Sequence, residues 1–147
     1  MFCQELAAQL TRDVAPKLEE RGVALRCVGI GTLDVARQFC EHVPFPQSLL
    51  YTDPENAAYT ALGLAKGWGP TFLQAATPLA IARRANAAAD LRAATARWKP
   101  WLPPKSDQGL QQGGALVFEG ATLLYRHDDP ATGAHADLNE VLNAALS

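Results

Sequence analysis

Val23-Ala24-Leu25-Arg26-Cys27-Val28-Gly29-Ile30-Gly31-Thr32-Leu33 is the stretch that decides the fold. Val23 to Ile30 reads as a buried strand. Near its end Cys27, Val28 and Ile30 put apolar side chains on both faces, as a central parallel strand covered on two sides requires. Gly31-Thr32 then turns the chain, and Thr32 is placed to cap a helix. Leu33, Ala36, Phe39, Cys40 and Val43 line one face of that helix, and Pro44-Phe45-Pro46 stops it.

Upstream, Phe2, Leu6, Leu10, Val14 and Leu18 recur every fourth residue, with Ala7 and Ala15 beside them, which predicts an amphipathic helix. Pro16 lies inside the pattern and removes the bond to the Arg12 carbonyl, so a kink is expected there. Gly22 is placed to end the helix in the left-handed region. Downstream, Ser48 to Thr52 reads as a short strand. Asp53-Pro54-Glu55 then reads as a helix start, with Asp53 as cap and Pro54 at the first helical position, and the helix ends near Gly63. Helix, strand, helix, strand, helix in succession predicts an α/β fold with mostly parallel strands.

Lys66 to Gln74 reads as a loop. An alanine-rich helical region follows from Thr77-Pro78 to about Trp98, as one helix or as two broken near Asn86 and Asp90, and Lys99 to Pro104 as an extended connector. Gln111-Gln112-Gly113-Gly114 leads into a hairpin of Ala115–Phe118 and Thr122–His127 turned at Glu119-Gly120. A loop from Asp128 to Gly133 precedes a last helix that starts near Asp137 and carries Leu138, Val141, Leu142 and Leu146. The 147 residues suit one domain spanning 1–147.

A net charge of −2 provides no footprint for nucleic acid, and no polybasic segment points to a membrane surface. No stretch approaches the roughly 20 apolar residues that span a bilayer, and no secretory signal is visible at the start. Three cysteines, Cys3, Cys27 and Cys40, are not a disulfide framework and fit a reducing compartment, so the cytoplasm is expected. The histidines His42, His127 and His135 do not share metal-ligand spacing with them, so no metal is expected.

Phe2-Cys3-Gln4-Glu5-Leu6, Val28-Gly29-Ile30-Gly31, Phe39-Cys40-Glu41, Tyr51-Thr52-Asp53-Pro54-Glu55 with Tyr59, Leu62-Gly63-Leu64 and Gln112-Gly113-Gly114 form an ordered set. Arg97-Trp98-Lys99-Pro100-Trp101 and Pro103-Pro104-Lys105 add to it. The set resembles the peroxiredoxin-like 2 group of AhpC/TSA-type proteins over almost the whole chain. The resemblance implies a thioredoxin-like α/β fold with a central mixed sheet and helices on both faces. It implies a thiol-dependent oxidoreductase that reduces hydrogen or organic peroxides with a thioredoxin-like reductant and uses no metal or organic cofactor. The family's site is a Cys-x-x-Cys whose end matches Phe2-Cys3-Gln4-Glu5, so Cys3 aligns with the second, resolving cysteine. The first would lie three residues earlier. The chain is therefore expected to be an N-terminally truncated version lacking the first core strand, with a plastid as its compartment if a transit peptide preceded it. That strand would pair with Val23–Ile30 on one side and Ala115–Phe118 on the other. Several unpaired buried peptide groups, at about 1–3 kcal/mol each, would rival the stability of a domain.

At a helix start, unpaired N–H groups and the dipole favour a thiolate, so Cys3 is the candidate catalytic residue, beside the alternative of a fraying terminal residue. Gly113 and Gly114 are the candidate substrate-binding residues, because glycine permits close backbone approach. Cys27 and Cys40 read as core packing, with Cys40 as a lesser candidate to resolve Cys3. Tyr59, Trp98 and Trp101 read as packing residues, and Arg83, Arg84, Arg92 and Arg97 as a solvated helix face rather than an anion site. Thr71 shows no activation, and His127 with Asp128 and Asp129 reads as a hairpin-end loop rather than an acid–base group. A second function class stays open: a non-catalytic thioredoxin-like module that binds a peptide or protein along an open sheet edge. The sequence sets no oligomeric state.

Overall fold

A computed structural model describes residues 2–67 and 105–147. The readings of the loop after Gly67, the alanine-rich helical region, the Pro-rich connector, Thr71, Trp98, Trp101 and the four arginines fall outside these residues. The first apolar stripe forms α1 (Phe2–Gln9), a π-helical turn (Leu10–Val14) and α2 (Ala15–Glu20). Pro16 has no N–H to offer Arg12, and the ladder adjusts one turn early: the Ala15 N–H bonds the Leu10 carbonyl, five residues back. The expected kink at Pro16 is thus a widened turn just before it. Gly22 ends the helix at φ +68°.

The strand expected over Val23–Ile30 is much shorter, β1 (Cys27–Gly29). It pairs in parallel with β2 (Leu50–Thr52), with Cys27 opposite Leu50 and Gly29 opposite Thr52. The first residues expected in β2 instead form a 3-10 turn, Gln47–Leu49. Between the strands runs α3 (Leu33–His42), capped by Thr32, whose side chain accepts from the Val35 N–H. Its Cys40 is buried with Ala7, Val43 and Phe45, while Leu33, expected on the buried face, is 57% exposed.

The helix after β2 starts later than Asp53-Pro54 suggests. Pro54 and Glu55 form a turn, Asn56 sits in the left-handed region at φ 58°, and α4 is Ala57–Ala61. Asp53 still caps it: its two carboxylate oxygens accept from the Ala57 and Ala58 N–H groups, each at 2.8 Å. The hairpin is β3 (Gly114–Glu119) and β4 (Thr122–Asp128), with a bulge after Val117 and Gly120 at φ +58° in its turn. Asp137 caps α5 (Leu138–Leu146), which packs Leu142 against Val14 and Leu18 in a second core cluster.

Among the described residues the strands form two separate pairs, β1–β2 and β3–β4. The Asp53 N–H donates to the Gly29 carbonyl at 2.9 Å, so Cys27 and Gly29 turn their peptide groups toward β2 and Val28 turns its own the other way. The Val28 carbonyl is met there by a side chain: the Tyr59 hydroxyl of α4 donates to it at 2.7 Å.

Candidate functional site

Cys3 lies in the first turn of α1 and is exposed. Gln4 and Glu5, immediately after it, are buried at 6% and 2% exposure, so the helix start is anchored by its polar side chains and not only by its apolar stripe. Unsatisfied N–H groups in a first turn favour a thiolate. The other two thiols are held the opposite way. Burial pushes Cys27 up to about 11, and burial also raises Cys40. Both pack in or against the cluster of Ala7, Val43 and Phe45, as core cysteines do.

Burial first, and then smaller electrostatic contributions from Cys3, Asp53, Asp129 and Cys27, push the Tyr59 phenol up to about 12. A neutral phenol is what the bond to the Val28 carbonyl requires, since only O–H can donate.

Gly113 and Gly114 approach a backbone closely, as expected of candidate site glycines, but the backbone is that of β4 and the loop after it. A Cβ on Gly114 would lie 2.6 Å from the His127 carbonyl oxygen and 3.2 Å from Leu64; one on Gly113 would lie 3.3 Å from an Asp129 carboxylate oxygen. Gln108 and Gln112 are buried on the approach to these glycines. Gln108 donates to the Pro54 carbonyl at 2.7 Å and to the Asn56 side chain at 2.8 Å, which ties this segment to the start of α4.

The arrangement around Asp129 escaped the sequence reading. Asp129 is 5% exposed, and its carboxylate sits 2.7 Å from Nδ1 of His135 and 3.5 Å from Nε2 of His127. Its neighbour Asp128 is engaged instead by Arg126, through two contacts of 2.8 and 2.9 Å. The His127-Asp128-Asp129 run is therefore more than a hairpin-end loop: alternate residues point to different partners, and His135, six residues on, completes the group. No local spacing signals it, because the loop from Pro130 to Ala134 brings His135 back. Among the described residues no group of three or more His, Cys, Asp or Glu is arranged to hold a metal ion. A groove of about 500 Å³ between Thr11, Pro16 and Glu19 on one side and Arg26 and Ser48 on the other contains none of these site residues.

The model of the AhpC/TSA antioxidant enzyme family matches residues 9–131 of this chain. The chain belongs to that family. Its fold is accordingly the thioredoxin-like α/β fold, and a thiol-redox role in general goes with membership. The match takes in Cys27, Cys40, Tyr59, the Gly113-Gly114 pair and Asp129, while Cys3 and His135 lie outside it. A protein of Arabidopsis thaliana named thioredoxin-like protein AAED1, chloroplastic, is 30% identical over 153 residues, an alignment that takes in all of this chain and 58% of that protein. The chain thus spans less than two thirds of the length of that relative. No solved structure matches. Among the described residues no helix is long and apolar enough to cross a membrane.

Proposed function

We propose that this chain is a peroxiredoxin-like thiol oxidoreductase in which Cys3 is a reacting thiol, its substrates being hydrogen peroxide or organic peroxides and its reductant a thioredoxin-like protein. The observation that carries this reading is the contrast among the three cysteines. Cys3 alone is exposed and in the first turn of a helix, while burial raises the other two. A peroxide-oxidised sulfenic acid needs a second thiol to resolve it; Cys3 aligns with that resolving thiol, and with Cys27 and Cys40 held in the core the thiol it reacts with comes from outside this group. Gly113 and Gly114 are read as bordering the site through the Asp129 loop. The single domain spans 1–147, and the compartment is the cytoplasm, or the plastid that the name of the Arabidopsis relative suggests.

Peroxide consumption with thioredoxin and its reductase, followed for the wild-type chain and for Cys3→Ser, tests the proposal. Activity that Cys3→Ser abolishes, with Cys27→Ser and Cys40→Ser retaining it, is the expected result. Turnover that survives Cys3→Ser would sink the proposal. Among the described residues no strand pairs with β1 on the side away from β2, which favours a second reading, a binding module that takes an extended peptide along Val28. That reading predicts a Cys3-alkylated protein that keeps all of its partner binding.

A further inference from the structure

Cys27 and Gly29 turn their peptide groups toward β2, so Val28 turns its N–H and carbonyl to the other side of β1. Among the described residues no strand pairs there. A side chain stands in that place instead. The Tyr59 hydroxyl lies 2.7 Å from the Val28 carbonyl oxygen, which only accepts, so the phenol donates. A strand added to β1 would lie about 4.8 Å away and would give an N–H to that same oxygen. The hydroxyl sits inside this spacing, so the phenol and an added strand exclude one another.

Local structure aims the phenol. Asp53, directly after β2, gives its N–H to the Gly29 carbonyl at 2.9 Å, and its carboxylate holds the Ala57 and Ala58 N–H groups at 2.8 Å each. One residue thus ties the strand pair to the start of the helix that carries Tyr59. Rotation about the Tyr59 side-chain torsions frees the carbonyl with α4 left in place, so release breaks a single hydrogen bond.

The surface beside this edge selects the occupant. Val28 is 44% exposed, and Tyr51, opposite it in register, is 49% exposed. The Arg26 guanidinium lies over the Tyr51 ring, 5.9 Å from its centroid. It donates to the Leu25 carbonyl, and among the described residues no carboxylate pairs with it. A cation without a counter-charge, next to two exposed apolar side chains, is complementary to an extended segment that sets an apolar residue beside Val28 and a carboxylate beside Arg26.

We propose that Tyr59 is an autoinhibitory latch on the outer edge of β1, displaced when an extended peptide with apolar and acidic side chains pairs along Val28. The inference rests on the binding-module reading above and does not depend on whether Cys3 reacts with peroxide.

A fluorescein-labelled peptide, Thr-Asp-Thr-Val-Thr-Val-Thr, titrated with the full chain by fluorescence anisotropy, tests it. Tyr59→Phe keeps the ring and removes the hydroxyl. The variant is expected to bind the peptide about 2- to 10-fold more tightly than wild type, the worth of one hydrogen bond no longer broken on binding. A hydroxyl that merely braces β1 gives equal or weaker binding in the variant, which overturns the inference and leaves the binding-module reading standing. A peptide with lysine in place of aspartate is expected to bind wild type about threefold more weakly, and Arg26→Ala to erase that difference. Equal binding of the two peptides to wild type overturns the acidic partner. A peptide bound by neither wild type nor Tyr59→Phe overturns both the inference and the binding-module reading. Should Tyr59→Phe fail to fold, the wild-type protein decides: the Tyr59 Cζ signal in carbon NMR must shift as peptide is added and the hydroxyl leaves the Val28 carbonyl, and a signal that stays in place overturns the inference.

Discussion

Tyr59 and Cys27 are the residues whose ionisation is most opposed by the fold, and both face the same test. Cys27 rises from 9.0 to about 11 and Tyr59 from 10.0 to about 12, each chiefly through burial. Above pH 9 the unfolded chain ionises Cys27 while the folded chain cannot, and above pH 10 the same holds for Tyr59. Their contribution is whole below pH 9 and is lost as pH rises toward 11 and 12, at most about 2–3 kcal/mol each. Urea midpoints measured from pH 8 to 11 should fall for wild type, and fall less for Cys27→Ala. At Gly114 the obstacle is steric. A methyl group would sit 2.6 Å from the His127 carbonyl oxygen, which is backbone within a paired strand and cannot swing aside. Gly114→Ala is expected to destabilise by about 1–3 kcal/mol in thermal melts. The Gly113-Gly114 signal was legible as a demand for close approach. Its object, the β4 backbone and Asp129, lies across the expected hairpin, but the sequence reading did not carry the pairing one step past Ala115 to these glycines.

The elements show where local rules hold and where they give way. Thr32, Asp137 and Gly22 cap or end their helices as their residue types suggest. Asp53 caps too, but across a turn: it takes the Ala57 and Ala58 N–H groups, with Pro54 outside the helix and left-handed Asn56 bonded to Gln108. The sequence signal was right in kind and offset in place, since the Gln108 contacts that hold the turn come from 52 residues away. Asp53→Ala removes both carboxylate bonds and should cost about 1–2 kcal/mol, with Asp53→Asn losing less, as differential scanning calorimetry will show. The Pro16 kink was likewise foreseen from a missing N–H, whereas its resolution as a π turn, with Val14 and Leu18 in the cluster with Leu142, was not.

For the molecule as a whole, the two strand pairs among the described residues are the governing fact. β1 bonds β2, β3 bonds β4, and on the side of β1 turned away from β2 a phenol meets the Val28 carbonyl. Val28 is 44% exposed, Tyr51 49%, Phe118 54% and Leu124 46%, so apolar surface lies on both pairs. The 147-residue chain on its own is therefore expected to enhance the fluorescence of an apolar dye such as ANS in native buffer. It should also exchange the Val28 amide faster than those of Cys27 and Gly29, whose N–H groups face β2. A dye-silent chain with uniform protection across β1 would contradict this layout.

Period and punctuation in the sequence alone determined the α/β alternation, the helix stripes, the hairpin with its Gly120 turn and the exposed thiol at a helix start. These are properties of residues within a few positions of one another, where backbone sterics and amphipathic spacing act directly. Only the tertiary structure decided that β1 is three residues long, that Tyr59 reaches the Val28 carbonyl, and that Asp129 orients His135. Each of these depends on groups brought together by chain closure, and which acceptor a donor meets is then a matter of distance in space, which spacing along the chain does not encode.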